Sequence, residues 1–172
     1  MNISKAPSNE IPLIECIDKI HGIYRVRWNF KKIPDTTSSY SFYEEDFDHE
    51  PTEEEIKNVI LKYHNNNIAN TIINDFYWNN TKFYLTLENQ NYYKFLYDML
   101  QDNPSRISDV LIKGETNSTD TYVTFNSVDE YKNFYFSMID HIQNSLKAGW
   151  QVKNNLSWSE YSDSLSNLSF TL

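Results

Sequence analysis

Apolar positions change their period midway through residues 74–100, NDFYWNNTKFYLTLENQNYYKFLYDML. Phe76 and Trp78 alternate with their neighbours, and Phe83, Leu85 and Leu87 alternate again after Asn79-Asn80. Asparagine tolerates positive φ better than most side chains, so the pattern predicts a type I′ hairpin pairing Trp78 with Thr81. The spacing then becomes three and four: Tyr92, Phe95, Leu96, Met99 and Leu100 form one stripe, edged by Tyr93 and Tyr97. Thr86 is placed to cap this helix, Glu88 suits its dipole, and Asn103-Pro104 ends it. The pattern reads first as a core hairpin with its covering helix. An aromatic ligand platform is the other use of the same residues.

The same logic applies along the rest of the chain. Residues 1–10 read as a flexible arm. Residues 11–17, 24–33 and 40–47 read as strands of a small antiparallel module spanning 11–50, docked on the main core, with His21-Gly22 as a turn. In residues 24–31, Tyr24, Val26, Trp28 and Phe30 face one way. Arg25, Arg27, Asn29 and Lys31 face the other, as a solvated strand face. Thr52 and Glu55 form a capping box. The helix they open carries Ile56, Val59, Ile60 and Tyr63 and is expected to stop near Asn65-Asn66-Asn67. A second short helical segment then holds Ile68, Ile72 and Ile73. After Pro104, residues 107–112 read as a strand, 114–120 as a polar connection and 121–125 as a strand. Ser127 and Glu130 form a second capping box. Its helix carries Val128, Tyr131, Phe134, Tyr135, Met138, Ile142 and Leu146, and Gly149 stands just past its end. The fold class is therefore α+β: antiparallel β-hairpins each followed by a capped helix, with a small N-terminal β module. The expected segments are an arm at 1–10, the module at 11–50, an α+β domain at 51–161 and a tail at 162–172.

Composition narrows the function classes. Of 172 residues, 40% are hydrophobic and 13 are tyrosines, whose apolar body and polar tip suit half-buried faces and wet interfaces. Only 3 glycines are present, too few for a glycine-rich phosphate cradle. The formal net charge is −9, without a basic cluster to draw a phosphate backbone, so no nucleic-acid partner is expected. No apolar run is long enough to cross a membrane, and no leader is read, so synthesis in a cytoplasm is expected without a membrane partner. Cys16, the single cysteine, reads as a buried inert thiol.

Candidate chemistry is sparse. Asp46, Asp48 and Glu50 mimic the first ligands of a calcium loop. Pro51 then replaces the glycine of the sharp turn and Lys57 the closing glutamate, so no metal is expected. His21, His49, His64 and His141 show no ligand spacing, and no nucleophile elbow or zinc-protease motif is present. No cofactor is expected, and the chain reads as a non-enzyme. An unrecognised carboxylate pair of a hydrolase is the minority alternative. The last residues are too apolar for a free linker. Trp150, Trp158, Tyr161, Leu165, Leu168 and Phe170 are candidate assembly contacts, lying across the domain or exchanging onto a neighbouring copy.

The run through Trp78, Leu85, Thr86, Glu88, Asn89, Gln90 and Tyr92 resembles a domain of unknown function common in bacteriophages of gut Bacteroidales. Gly149-Trp150, then Trp158 and Tyr161, resemble its helix-ending Gly-Trp and Trp-x-x-Tyr tail. Arg25 to Trp28 and Pro51 to Ile56 resemble its earlier Arg-x-x-Trp strand and Pro-Thr helix start. The turn departs from the pattern, with Asn79-Asn80 where a glycine is expected. The resemblance covers most of residues 24–161. It implies a structural virion protein of a crAss-like phage, a head fibre or capsid-surface decoration that self-associates as a dimer or trimer and meets other virion proteins. The alternative it leaves is a tail-associated receptor or carbohydrate-binding adaptor.

Overall fold

In the computed structural model, residues 2–6, 11–34 and 39–168 are described. The elements are β1 (Asn2–Ala6), β2 (Ile14–Asp18), β3 (Ile23–Lys32), β4 (Tyr40–Phe47), α1 (Glu53–Asn74), β5 (Phe76–Trp78), β6 (Thr81–Phe83), α2 (Leu87–Asp102), β7 (Leu111–Thr116), β8 (Thr119–Thr124), α3 (Val128–Asn154) and α4 (Trp158–Leu168). A 3₁₀ segment, Pro104–Asp109, precedes β7. Two antiparallel four-stranded sheets, ordered β1-β4-β3-β2 and β5-β6-β7-β8, make this an α+β fold.

The chain divides into two compact units. The first takes the described parts of Met1–Tyr63 and Asn155–Leu172; the second is His64–Asn154. This division replaces the expected boundaries at 10/11, 50/51 and 161/162. The first sheet does not share the hairpin core but has one of its own. Ile14, Val26 and Trp28 are buried there with Ile56, Ile60 and Tyr63 of α1. Trp158, Tyr161, Leu165 and Leu168 recur at helical spacing along α4 and pack against the same core. Residues 162–168 are thus helix rather than tail. Asn2–Ala6 is likewise not an arm: it pairs antiparallel with β4, from Asn2↔Glu44 to Ala6↔Tyr40.

In β3, Asn29 has φ 57° and the register with β4 shifts between Trp28 and Lys31. This bulge breaks the simple alternation expected through residue 31. The Asn29 amide donates to the Tyr63 hydroxyl at 2.8 Å. The arginine face of β3 also differs from expectation, because Arg27 is only 7% exposed and so is Glu44. Arg27 donates to Glu15 at 2.8 Å and to the Pro12 carbonyl at 3.0 Å, and lies 3.6 Å from Glu44. Arg25 makes a two-pronged contact with Asp46, at 2.6 and 2.8 Å. Opposite charges on adjacent strands therefore pull the guanidinium groups onto the sheet.

In the second unit the Asn-Asn turn is formed as predicted. Asn79 and Asn80 have φ 48° and 62°, and Trp78 pairs with Thr81. The second hairpin, expected between the strands on either side of residues 114–120, is also formed, but with a tighter turn than that polar connection suggested. Asn117 and Ser118, at φ 51° and 61°, join β7 to β8 inside the stretch read as a polar connection. The expected strand at 107–112 starts only at Leu111, because Pro104 opens the 3₁₀ turn. One face of the sheet carries Phe76, Phe83 and Ile112 into a core completed by Tyr93, Leu96 and Leu100 of α2 and Tyr131, Phe134 and Met138 of α3. Phe134 sits at its centre, with its ring 5.0–5.7 Å from those of Phe76, Trp78, Phe83, Tyr93 and Phe125.

Two helices run further than expected. α1 passes through residues 65–67 without a break, since asparagine costs a helix interior only about 0.7 kcal/mol per residue, which packing overrides. The Lys153 ammonium donates to the Asn65 side chain at 2.8 Å. α3 continues through Gly149 to Asn154. Gly149 is not a terminator but a point of close approach: a Cβ there would overlap the Ile68 side chain of α1. The His141 ring N–H donates towards the Thr71 carbonyl, at 3.1 Å, in the last turn of α1.

Candidate functional site

The second sheet has one covered face and one open face. Strand alternation places Tyr77, Lys82, Lys113, Glu115, Asp120 and Tyr122 on the open side. β6 is short and meets β7 only at Lys82↔Glu115 before the chain leaves for α2. A cleft of about 440 Å³ opens where it departs. That volume falls within the range of small-ligand sites, about 300–1,000 Å³. Tyr84, Asn89 and Tyr92 line it from the strand-to-helix junction, and Lys113, Glu115 and Tyr122 from β7 and β8.

The junction is held rigidly by local hydrogen bonds. The Thr86 hydroxyl accepts from the Asn89 N–H at 3.2 Å. Asn89 and Gln90 each donate a side-chain amide at 2.7 Å to the carbonyls of Tyr84 and Leu85 respectively. The segment Glu88-Asn89-Gln90 carries the resemblance described above, and in this fold Asn89 and Gln90 lock the turn from strand to helix. The Leu85 N–H donates to the Ile73 carbonyl at the end of α1, so the junction is anchored from both sides.

Within the cleft the polar groups are paired with one another. The Tyr84 hydroxyl donates to Glu115 at 2.8 Å, and this carboxylate, with burial second, raises the pKa of the phenol. The Lys82 ammonium lies 4.8 Å from the centre of the Tyr84 ring, a cation–π contact. Lys113 and Asp120 are 2.6 Å apart, and the aspartate raises the lysine pKa. Tyr93 forms the inner wall, where burial pushes its hydroxyl up to about 12. Tyr84 is 37% exposed, Tyr92 45% and Tyr122 65%, so three rings present surface to solvent.

The structure distributes the six sequence-predicted contact residues. Trp158, Tyr161, Leu165 and Leu168 cover the core of the first unit, and the Tyr161 hydroxyl donates to the Arg27 carbonyl at 3.1 Å. Trp150, on α3 of the second unit, is half exposed. Phe170 lies outside the described residues. The stripe foreseen on α2 is rotated: Tyr93, Leu96 and Leu100 face the core, whereas Tyr92 and Phe95 point outwards. The apolar arc of this helix is wide, running from Phe95 and Tyr92 round to Tyr93 and Tyr97 opposite Asn91, Lys94 and Asp98, so periodicity could not choose which part of it is buried.

The acidic segment of the calcium-like spacing is occupied with other partners. Asp46 binds Arg25, while His49 bridges Asp48 and Glu55 at 2.8 and 3.0 Å. Among the described residues no group of three or more His, Cys, Asp or Glu is arranged to hold a metal ion. Cys16 is half buried rather than fully enclosed. No described helix is long and apolar enough to cross a membrane.

Glu115 and Asp120 were missed as site residues because 114–120 read as a loop, and Lys113 and Tyr122 because that loop hid the face their strands share. The alternation of Leu111, Lys113 and Glu115 with Ile112 and Gly114 was the available signal. Gly114 obscured it, and a Cβ there would crowd Thr81 and Phe83 of the neighbouring strand. Comparison with protein-family models, curated proteins and solved structures found no match.

Proposed function

We propose that this chain is a non-enzymatic structural component of a bacteriophage particle, a head fibre or capsid-surface decoration that associates with further copies of itself and with other virion proteins. The resemblance around Trp78, Glu88, Asn89 and Gln90 supports the phage setting. The observation that carries self-association is a partly exposed aromatic cluster where α2 meets α3. Tyr97 and Tyr135 stack with centroids 4.5 Å apart, and Phe136, half exposed, sits 5.7 Å from Tyr97. Trp150 adds a further half-exposed ring on α3. Exposed apolar groups of this size are typical of surfaces that meet a partner. Trp158, Tyr161, Leu165 and Leu168 already turn their apolar surface to their own unit, which moves the proposed contacts to Phe136 and Trp150.

The test is the copy number in purified virions, by quantitative mass spectrometry against the major capsid protein. A head location predicts tens to hundreds of copies, following the icosahedral symmetry. Absence from the particle overturns the proposal. Light scattering should show an oligomer for the wild type and monomer for Phe136→Ser combined with Trp150→Ser. A tail-associated adaptor is the second reading. The open tyrosine cleft favours it, because a purely architectural subunit has no need of one, and it predicts about a dozen copies or fewer on the tail axis.

A further inference from the structure

We infer that the cleft between α2 and the open face of the β5–β8 sheet is a binding site for an uncharged oligosaccharide. Three properties point to this ligand class.

The first is charge. Lys113, Glu115 and Asp120 line the cleft, and Lys82, behind the lining residue Tyr84, brings the local sum to zero. Asp120 neutralises Lys113, Lys82 rests on the Tyr84 ring, and Glu115 accepts from Tyr84. An anionic or cationic ligand finds no unbalanced counter-charge here, and separating the Lys113–Asp120 pair to create one costs its mutual attraction. A neutral ligand requires neither.

The second is the pairing of flat rings with planar hydrogen-bonding groups. Tyr84, Tyr92 and Tyr122 are all partly exposed around one opening. A pyranose presents an apolar face of C–H groups and an equatorial belt of hydroxyls. Such a ring is matched by an aromatic surface on one side and by carboxylate, amide or ammonium groups at its edge. Asn89 has committed its amide N–H to the Tyr84 carbonyl, and Glu115 takes one phenolic hydrogen, yet each keeps acceptor capacity for a sugar hydroxyl.

The third is preorganisation. Tyr84 is held by the hydrogen bond to Glu115 and by Lys82 across its ring, and its backbone is held by Asn89. A phenol is protonated at neutral pH, and the carboxylate raises its pKa further, so the hydrogen bond that fixes the ring persists. A site whose groups are already oriented loses little entropy on binding. The cleft, about 440 Å³, is partly open to solvent, so an oligomer can continue past it at either end.

This deepens the adaptor reading, and it holds at either place in the particle, so its failure and that of the particle assignment are read by different experiments. The full chain is screened on a glycan array bearing neutral glucose, mannose, xylose and N-acetylglucosamine oligomers beside sialylated and sulfated ones. The strongest neutral oligomer is then titrated by calorimetry. The expected result is binding of neutral oligomers, weakened about tenfold by Tyr122→Ala and retained in Tyr122→Phe, which keeps the stacking ring. Tyr77→Ala, on the same face but outside the cleft lining, should leave binding unchanged. Tyr122 is mostly solvent-exposed, and circular dichroism of the Ala variant separates a lost site from a lost fold. Should Tyr122→Ala fail to fold, Tyr92→Ala carries the same expectation. Binding confined to sulfated or sialylated glycans, binding indifferent to the cleft variants, or no glycan binding at millimolar protein overturns the inference.

Discussion

On the sheet of β1–β4, the side turned away from α1 carries Arg25, Arg27, Glu15, Glu44 and Asp46, interlocked across three strands. On the sheet of β5–β8, the corresponding side carries Tyr77, Tyr122 and the charges around the cleft, with the rings facing solvent. Both sheets are four-stranded and antiparallel, and both bury aromatic side chains beneath helices. The difference lies in what the open face does with its polar groups. The first uses them largely on each other, and Arg27 and Glu44 are buried by their own neighbours, although the buried Arg27 Nε finds no hydrogen bond among the described residues. The second leaves aromatic surface uncovered. A self-satisfied face stabilises the unit, whereas an uncovered one is available to a partner.

Removing charges therefore separates the two faces most sharply. Arg27→Ala removes a buried guanidinium and leaves Glu44 with Arg25 as its remaining cation, also at 3.6 Å, and it should cost about 3 kcal/mol in urea unfolding. A loss below about 1 kcal/mol would erase the contrast. On the covered side of the second unit, Gly149→Ala forces a methyl into Ile68 and should cost about 1–3 kcal/mol. Adding Ile68→Ala should recover part of that loss, which a double-mutant cycle measures. In the β7–β8 turn, Ser118→Gly relieves a positive φ and should raise stability by about 1 kcal/mol. On the open face itself, Tyr122→Ala should change stability by no more than about 0.5 kcal/mol, although the same change is expected to weaken glycan binding. Equal costs for Arg27→Ala and Tyr122→Ala would mean that both faces are structural.

The smallest expected effect is that of pH at the start of α1. Glu55 is held down at about 2, first by the Thr52 N–H, then by the Thr52 hydroxyl and His49. A depressed carboxylate contributes stability above its unfolded value, about 4.3, and loses it as the pH falls towards 2. His49 is raised by Asp48 and then Glu55. Its contribution is complete below about 6.5 and is lost as the pH rises through the raised value. This corner thus contributes most between the two unfolded values. Solvent exposure keeps the effect small. Glu55→Gln should flatten the acid limb of the urea midpoint against pH, and His49→Gln the alkaline limb.

The two capping boxes mark how far purely local chemistry reaches. Thr52 and Glu55 bond each other's N–H groups reciprocally, at 2.8 and 3.3 Å, as their spacing predicts. At the second box Ser127 accepts from the Glu130 N–H, but the Glu130 carboxylate reaches one residue further back, to the Asn126 N–H at 2.7 Å. The cap was legible in the sequence and the carboxylate's partner was not. In the candidate site, Tyr84, Asn89 and Tyr92 fell within the stretch flagged as an aromatic platform. Lys113, Glu115, Asp120 and Tyr122 did not, because their strands close through an Asn-Ser turn with weak sequence signal.

By itself, the sequence determined what a few neighbouring residues can decide: the Asn79-Asn80 turn, the Thr86 cap, the strand at 40–47 and the α+β class. These rest on backbone sterics and hydrogen bonds that close within a few positions. Only the tertiary structure decided what depends on distant partners. It chose which part of the wide apolar arc of α2 is buried, and it carried α1 across three asparagines. It set Gly149 against Ile68 rather than at a helix end, and it folded α4 back onto its own unit. In each case the local preference amounts to no more than about 2 kcal/mol, and a contact from far along the chain outweighs it.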